Sequence, residues 1–566
     1  MTRSTSTALP TIVPAGILAG VLAGALAGCN QAPASDHFTG PGPKLPDPVP
    51  VGEVFTREQI GHALAPPTTN MGKAKSSPGG APVDDGQWTM PSKNYASTRF
   101  SAMREINPGN VGNLRPAFSF SLGVNKGQEA APIVAGGTMY IVTAYPNIVY
   151  ALDLTKPGAP LKWKYLPKPA PAAQGVACCD VVNRGGTYHA GKYIFTTLDG
   201  QTIALDARTG TPVWKAQLGN INLGETMTMA PLVADGKVYV GNSGGELGVR
   251  GWVIALDEAT GKIAWKAYNT GPDADVKIGS DFKAFYASDR GRDLGVKTWP
   301  ASAWQIGGGN MWGWFTYDPD LHQLYHGTGN PGPWNAEQRP GDNKWTAGEF
   351  ARDPATGAAK WFYQMSPHDT DDYDGINEQI LLEMPFAGKW RHVLVKPDRN
   401  GYLYVIDRTN GQVLSADPFG PTNSSKGIDL HTGRPIINAD KVAKLGQVTR
   451  NICPTASGSK DWNPSSFSPL TGLVYLPHEN MCMDWMNLEV NYIAGTPYVG
   501  AEVHMKAGPG DGHRGVLTAW DPILRKPAWE IPEKFPIWSG TVVTAGNLVF
   551  YGTMEGWFKA VDATGG

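Results

Sequence analysis

The chain has 566 residues, of which 70 are Gly and 47 Pro, about a fifth of the total against roughly 12 % in an ordinary protein, so turns are abundant. Charged residues make up only 17 %, while 19 Trp, 20 Tyr and 17 Phe give an aromatic content that excludes a disordered chain. With 48 Lys and Arg against 50 Asp and Glu, the formal net charge is -2, and no global positive field exists to gather nucleic acid.

The first 28 residues read as a processing signal: Met1 to Ala27 carries Arg3, no acidic residue and a small-residue apolar core. The apolar run from Ala15 to Gly28 is shorter than the ~20 residues that span a bilayer. It ends in Leu26-Ala27-Gly28-Cys29, which resembles the lipobox of bacterial lipoproteins and implies a lipidated Cys29; an ordinary secretory signal is the alternative. Residues 29–87 are rich in Pro, Gly, Ala and Ser and read as a tether, with the folded domain expected over 88–566.

Beyond Trp88 the chain repeats itself. ALDARTGTPVWK from Ala204 and ALDEATGKIAWK from Ala255 are two copies of one unit, and diverged copies place the equivalent Asp at 153, 206, 257, 353, 407, 521 and 562. The successive separations are 53, 51, 96, 54, 114 and 41; with 96 and 114 read as two units each, the period is about 50, in the range of propeller blades. Each unit reads as strand, D-x-x-T-G turn, strand, with β-branched and aromatic flanks and a Gly that supplies positive φ. The expectation is an all-β stack of four-stranded blades. A Trp follows the turn at Trp163, Trp214, Trp265, Trp361 and Trp529, and its first role is packing between blades.

Between the repeats lie segments with chemistry. Cys178 and Cys179 are adjacent, and a bond between them would close an eight-membered ring, which packing alone does not call for. Glu246 in NSGGELG, Asn330 in GTGNPG, and Asp372 and Asp374 in HDTDDYDG are oxygen ligands in turn-like segments, the donor type that hard cations take. Glu246 with Asp372 neutralises a divalent ion; a third carboxylate from Asp374 balances a trivalent one.

In their order along the chain these motifs resemble those of the quinoprotein alcohol dehydrogenases that use pyrroloquinoline quinone (PQQ), and the Asp372-Tyr373-Asp374 run resembles the lanthanide-dependent methanol dehydrogenases. The resemblance implies an eight-bladed β-propeller with tryptophan-docking motifs, PQQ, and a lanthanide, with Ca2+ the alternative. It implies metal ligation by Glu246, Asn330, Asp372 and Asp374, with Asp372 the catalytic base. It implies a Cys178–Cys179 disulfide against the cofactor, Trp312 stacked on the quinone, and Arg399 at its reactive oxygens. Glu129, Arg184, Thr228, Ser243, Gly244, Gly245, Asp461 and Trp538 match further cofactor contacts, and Cys453 with Cys482 matches a second disulfide. The implied activity is periplasmic oxidation of methanol or another small primary alcohol, with electrons passed to a c-type cytochrome; a homodimer is among the expectations. No C-x-x-C-H haem motif occurs in the sequence, which makes another protein the acceptor.

Three features depart from that family. Thr370-Asp371 stands where relatives show Glu-Trp, an expected change in the pocket wall; Cys29 suggests membrane tethering; and AVDATGG closes the sequence inside a docking motif, which reads as an incomplete C-terminal blade. A calcium-dependent alcohol dehydrogenase and a non-catalytic envelope lipoprotein scaffold are the competing readings.

Overall fold

In the computed structural model, residues 86–566 are described; the signal 1–28, Cys29 and the tether as far as residue 85 lie outside the described residues. Each Asp turn found in the sequence belongs to one four-stranded sheet. Blade 1 runs through Ile133–Ala135, Thr138–Val142, Val149–Asp153 and Leu161–Tyr165, each strand antiparallel to the one before. Blade 2 repeats the plan from Gly186–His189 to Pro212–Gln217, and blade 3 from Leu232–Ala234 to Ile263–Tyr268. Blade 4 runs from Phe315–Asp318 to Ala359–Gln364, blade 5 from Ile380–Phe386 to Gln412–Pro418, and blade 6 from Ser466–Ser468 to Lys526–Glu533. In blade 7, Val542–Thr544, Leu548–Gly552 and Phe558–Asp562 are joined by Phe100–Ser101, which pairs parallel with Val542–Thr544. Seven four-stranded sheets therefore stand among the described residues, one per Asp turn, and the eighth implied by the resemblance is not among them.

The repeat motif explains how the sheets are held. Asp206 Oδ1 accepts the backbone N–H (2.8 Å) and the hydroxyl (3.0 Å) of Thr209, closing the turn that leads to the outgoing strand. The Trp at the end of one unit then reaches the turn of the next: Trp163 Nε1 donates to Ala207 O at 3.0 Å, Trp214 to Glu258 O at 2.9 Å, Trp265 to Pro354 O at 3.0 Å and Trp361 to Arg408 O at 3.0 Å. Its ring covers the turn glycine. A Cβ on Gly411, which sits at φ +80°, would stand 2.7 Å from the Trp361 ring, so glycine is required there for contact as well as for conformation. Blade 5 has no such Trp. Leu414 packs there with Ile523, and Arg525 holds Asp417 through two bonds of 2.6 and 2.8 Å.

The two long separations do not each contain two units, contrary to the reading from sequence. Between Asp257 and Asp353 the extra residues form short helices, α1 at Asp273–Val276 and α2 at Leu294–Lys297, and the loop that leads to Trp312, before a single blade begins. Between Asp407 and Asp521 they form the hairpin Ser425–Asp429/Arg434–Ile437 and a three-stranded sheet of Thr449–Ile452, Met481–Asn487 and Ala501–Ala507. Insertions carry no docking contact, so they dilute the period without adding a four-stranded blade. Among the described residues no helix is long and apolar enough to cross a membrane.

Trp361 is 1 % exposed and lies in the core between blades 4 and 5 with Tyr325, Leu394 and Tyr404. Replacing it with Ala removes the ring and the bond to Arg408, and a loss of about 3–5 kcal/mol is expected. A clearly lowered urea midpoint checks this; an unchanged midpoint would show that the docking Trp carries little of the stability.

Candidate active site

In an antiparallel four-stranded repeat, the connection between the second and third strands and the passage to the next sheet emerge at the same end, opposite the Asp turns. Every residue singled out for chemistry lies on one of those two connections. A cavity of about 610 Å3 opens there. Its wall takes Glu129 from ahead of blade 1, Cys178, Cys179 and Arg184 from between blades 1 and 2, and Thr228 from between blades 2 and 3. Ser243, Gly244 and Glu246 come from within blade 3, Arg399 from within blade 5, and Trp312, Asp372, Asp374, Asp461 and Trp538 from the passages between later blades. Gly245 and Asn330 stand behind the wall; the Asn330 Oδ1 is 3.7 Å from where a Gly245 Cβ would be.

The acid loop is built tightly. Asp369 accepts the backbone N–H of Asp372 at 3.0 Å and of Tyr373 at 3.1 Å, and Asp374 N–H donates to Asp372 O at 3.1 Å. Asp372 thereby sits in the left-handed region at φ +65°, a conformation that costs a non-glycine residue energy and is held only by surrounding bonds. The Tyr373 hydroxyl donates to Pro454 O at 2.8 Å, beside Cys453, which is bonded to Cys482. The side chains of Asp372 and Asp374, two residues apart, both reach the cavity.

Arg399 faces them. Its Nη1 lies 3.4 Å from Asp372 Oδ2 and 3.2 Å from Asp374 Oδ2, and its Nη2 is 2.8 Å from Asp461 Oδ1. The Asn330 N–H donates to Asp374 Oδ1 at 2.6 Å. Burial, then the charge of Asp374, raises Glu246 to about 7, with Arg399 opposing. Asp372 is pushed well above the ordinary carboxylate range by burial and by Asp374 and Glu246, against the pull of Arg399. Burial likewise raises Asp374. Four carboxylates, Glu246, Asp372, Asp374 and Asp461, thus share one guanidinium, and Asp372 Oδ1 is buried without a partner. A surplus of three negative charges with oxygen donors is the environment a trivalent hard cation fits.

The rest of the cavity suits a flat, anionic ligand. The Cys178–Cys179 disulfide is formed and lines it. The Arg184 guanidinium lies 4.7 Å from the Trp312 ring and 5.2 Å from the Trp462 ring, while Arg399 lies 5.3 Å from Trp312. Arg184 also pairs with Glu129 at 3.0 Å and donates to Thr228 Oγ1 at 2.9 Å, which meets Ser243 Oγ at 2.9 Å. An aromatic ring with two guanidiniums close to it can stack a planar ring system and hold its carboxylates. The residues present therefore suit PQQ by shape and charge and a trivalent ion by donor chemistry, although among the described residues the acids are not drawn together into a closed ligand set.

Thr370 and Asp371 correct an expectation: they do not form the wall of this cavity. They line a separate one of about 200 Å3 on the other face of the acid loop. Sequence reasoning missed Trp462, Asp369 and Glu479; Trp462 directly follows Asp461, while Asp369 acts on backbone and Glu479 is a strand residue, and neither carries a motif.

Glu479 lines the cavity, accepts Ser457 Oγ at 2.8 Å, and is raised to about 8 by burial and by Asp461. An acid with a folded pKa above its unfolded one binds the extra proton in the native state, so stability falls as pH rises from about 4.5 to about 8. In the cofactor-free protein Glu479→Gln abolishes that contribution. The variant should match the wild type in unfolding free energy from urea titration near pH 5 and exceed it at pH 8 by a few kcal/mol; equal free energies at both pH values would place the group near its ordinary pKa.

Comparison with known proteins agrees with this geometry. The model of the glucose/ethanol/alcohol dehydrogenase β-propeller domain that binds PQQ matches residues 88–416, more than half of the chain. A lanthanide-dependent methanol dehydrogenase of Methylacidiphilum fumariolicum (strain SolV) is 52 % identical over 482 residues, 85 % of this chain and 79 % of that protein. Subunit 1 of methanol dehydrogenase (cytochrome c) from Methylorubrum extorquens is 45 % identical, over 85 % of this chain and 79 % of its own length. The solved structure of a europium-containing methanol dehydrogenase superposes with a TM-score of 0.83 at 52 % identity, covering 84 % of this chain and 83 % of that one. The chain belongs to the family of PQQ-dependent β-propeller alcohol dehydrogenases.

Proposed function

We propose that the protein oxidises methanol or another small primary alcohol to the aldehyde, using PQQ and a lanthanide ion, and passes the electrons to a c-type cytochrome. The observation that carries this reading is Asp374: a third buried carboxylate beside Glu246 and Asp372, in a site where the single positive charge of Arg399 is spread over Asp374, Asp372 and Asp461 and cannot balance them all. Relatives named for lanthanide dependence and for cytochrome c support it.

Glu246, Asn330, Asp372 and Asp374 would hold the metal, and Trp312, Arg184, Glu129, Thr228, Ser243 and the Cys178–Cys179 pair would hold the quinone. When bound, PQQ polarised by the metal supplies the electrophilic carbonyl that accepts a hydride from the alcohol carbon. Asp372, whose Oδ1 is buried without a protein partner, would take the hydroxyl proton. Arg399, fixed by Asp461, Ala456 O and the acid loop, places a permanent positive charge where negative charge develops. Burial alone would weaken that cation, but Asp461, Asp374 and Asp372 hold its pKa above the ordinary value. Export and lipid attachment at Cys29 form part of the proposal, supported by the signal-like N-terminus and by two disulfides suited to an oxidising compartment.

The test is reconstitution of the full chain with PQQ and either lanthanum or calcium, followed by methanol oxidation with an artificial electron acceptor. The wild type should be active with lanthanum, and Asp374→Ala should lose that activity by about 100-fold or more, since even outer-shell losses cost 10–100-fold. Activity restored by calcium alone and indifferent to Asp374→Ala would make this a calcium enzyme instead.

A further inference from the structure

Two loops carry three of the four proposed metal ligands, Asn330 on one and Asp372 with Asp374 on the other, and neither is a regular element. The Asn330 N–H bond to Asp374 Oδ1 and the Gly375 N–H bond to Thr328 O join them directly, and a residue outside the cavity braces them further. Arg339 is 0 % exposed and uses its planar fork on both loops. Nε donates to Pro333 O at 2.6 Å and Nη2 to Trp334 O at 3.4 Å, both in the Asn330 loop; Nη2 also donates to Asp369 O at 2.5 Å, in the acid loop. Nη1 is held by Asn343 Oδ1 at 2.9 Å, and Asn343 Nδ2 returns to Arg339 O at 3.0 Å, so the guanidinium cannot swing.

The same segment braces the start of the acid loop. His368 N–H donates to Asp342 O at 3.2 Å, and its ring Nδ1 meets Gly341 O at 2.8 Å. From there Asp369 takes over: its two carboxylate oxygens each accept one backbone N–H, of Asp372 and of Tyr373, and so impose the left-handed turn that sends both acid side chains into the cavity. Neither Arg339 nor Asp369 lines that cavity.

We propose that Arg339 and Asp369 are a positioning pair that sets the spacing of Asn330 from Asp372 and Asp374, and hence the affinity of the site for a trivalent ion. The inference rests on the reading of these residues as a lanthanide site. A lysine in place of Arg339 keeps the charge but loses the rigid fork whose Nε and Nη2 hold Pro333 O and Asp369 O from separate nitrogens. An asparagine in place of Asp369 keeps the shape but turns one acceptor into a donor facing a backbone N–H.

Titration of the full, cofactor-free chain with Eu3+, followed by its luminescence, tests the pair in the wild type, Arg339→Lys and Asp369→Asn. Urea midpoints are measured without metal, and methanol kinetics after loading with PQQ. The expected result is an Eu3+ Kd raised about 10- to 100-fold in each folded variant, a parallel fall in kcat, and an unchanged methanol KM. Wild-type Eu3+ affinity in a folded variant overturns the inference, even if its urea midpoint has dropped, since the role would then be structural only. If Arg339→Lys does not fold, the nearly isosteric Asp369→Asn decides. A wild type that fails to bind Eu3+ overturns the functional reading and the inference together; wild-type binding with unaffected variants overturns the inference alone.

Discussion

The contact on which the rest of the molecule depends is a tryptophan ring laid on the glycine of the next sheet's turn. It joins each of blades 1 to 4 to the next at one end, through an indole N–H to a backbone carbonyl and a ring face on a bare Cα. Because that end is occupied by docking, the opposite connections are free to vary, and they supply most of the cavity wall. Stability and chemistry are separated along each strand, which lets insertions as long as the one before Trp312 be absorbed without disturbing the stack.

A second constraint is electrostatic. Beneath the site, buried charges are matched in pairs: Lys396 with Glu349 at 3.1 Å, Lys460 with Glu378 at 2.6 Å, Arg408 with Asp318 at 2.6 Å and Lys344 with Asp289 at 2.5 Å. Arg352 is matched instead by His326 and by the carbonyls of Val276 and Gly357. Such pairing is what burial demands, since removing ions from water costs more than a single contact returns unless the geometry is satisfied. The cavity breaks the rule. Glu246, Asp372, Asp374 and Asp461 meet one arginine, and the imbalance is displayed as carboxylates held above their usual range by burial and by one another.

Much of this was legible in the residues because each relevant contact involves a short motif. The D-x-x-T-G turn and the Trp that follows it are local, so their recurrence reported the sheets directly. The 96- and 114-residue separations misled because an insertion leaves no mark on the spacing except length; only the fold shows that α1, α2 and the added hairpin occupy it. The site was readable through its side-chain donors, in the order that the resemblance supplied. Arg339 and Asp369 were not, since they act on backbone carbonyls and amides that no sequence displays. Thr370-Asp371 were assigned to the wrong face for the same reason: the left-handed turn at Asp372, not the order of residues, decides which side chains enter the cavity.

That turn also explains how four acids can occupy six consecutive positions without unfolding the loop. Each carries a different load. Asp369 satisfies two backbone amides; Asp374 receives the Asn330 amide and Arg399; Asp371, raised to about 8 by burial and by Asp369, accepts the Thr370 hydroxyl at 3.0 Å. Asp372 alone keeps a buried oxygen with no partner on the cavity side. An unpartnered buried acceptor costs stability, and it is tolerated where a ligand or a proton will occupy it. Within the loop two oxygens stay without a partner, Asp371 Oδ1 and Asp372 Oδ1, and of those two residues only Asp372 lines the cavity shaped for a planar anion and a cation, so the left-handed turn decides which unsatisfied oxygen a ligand can reach.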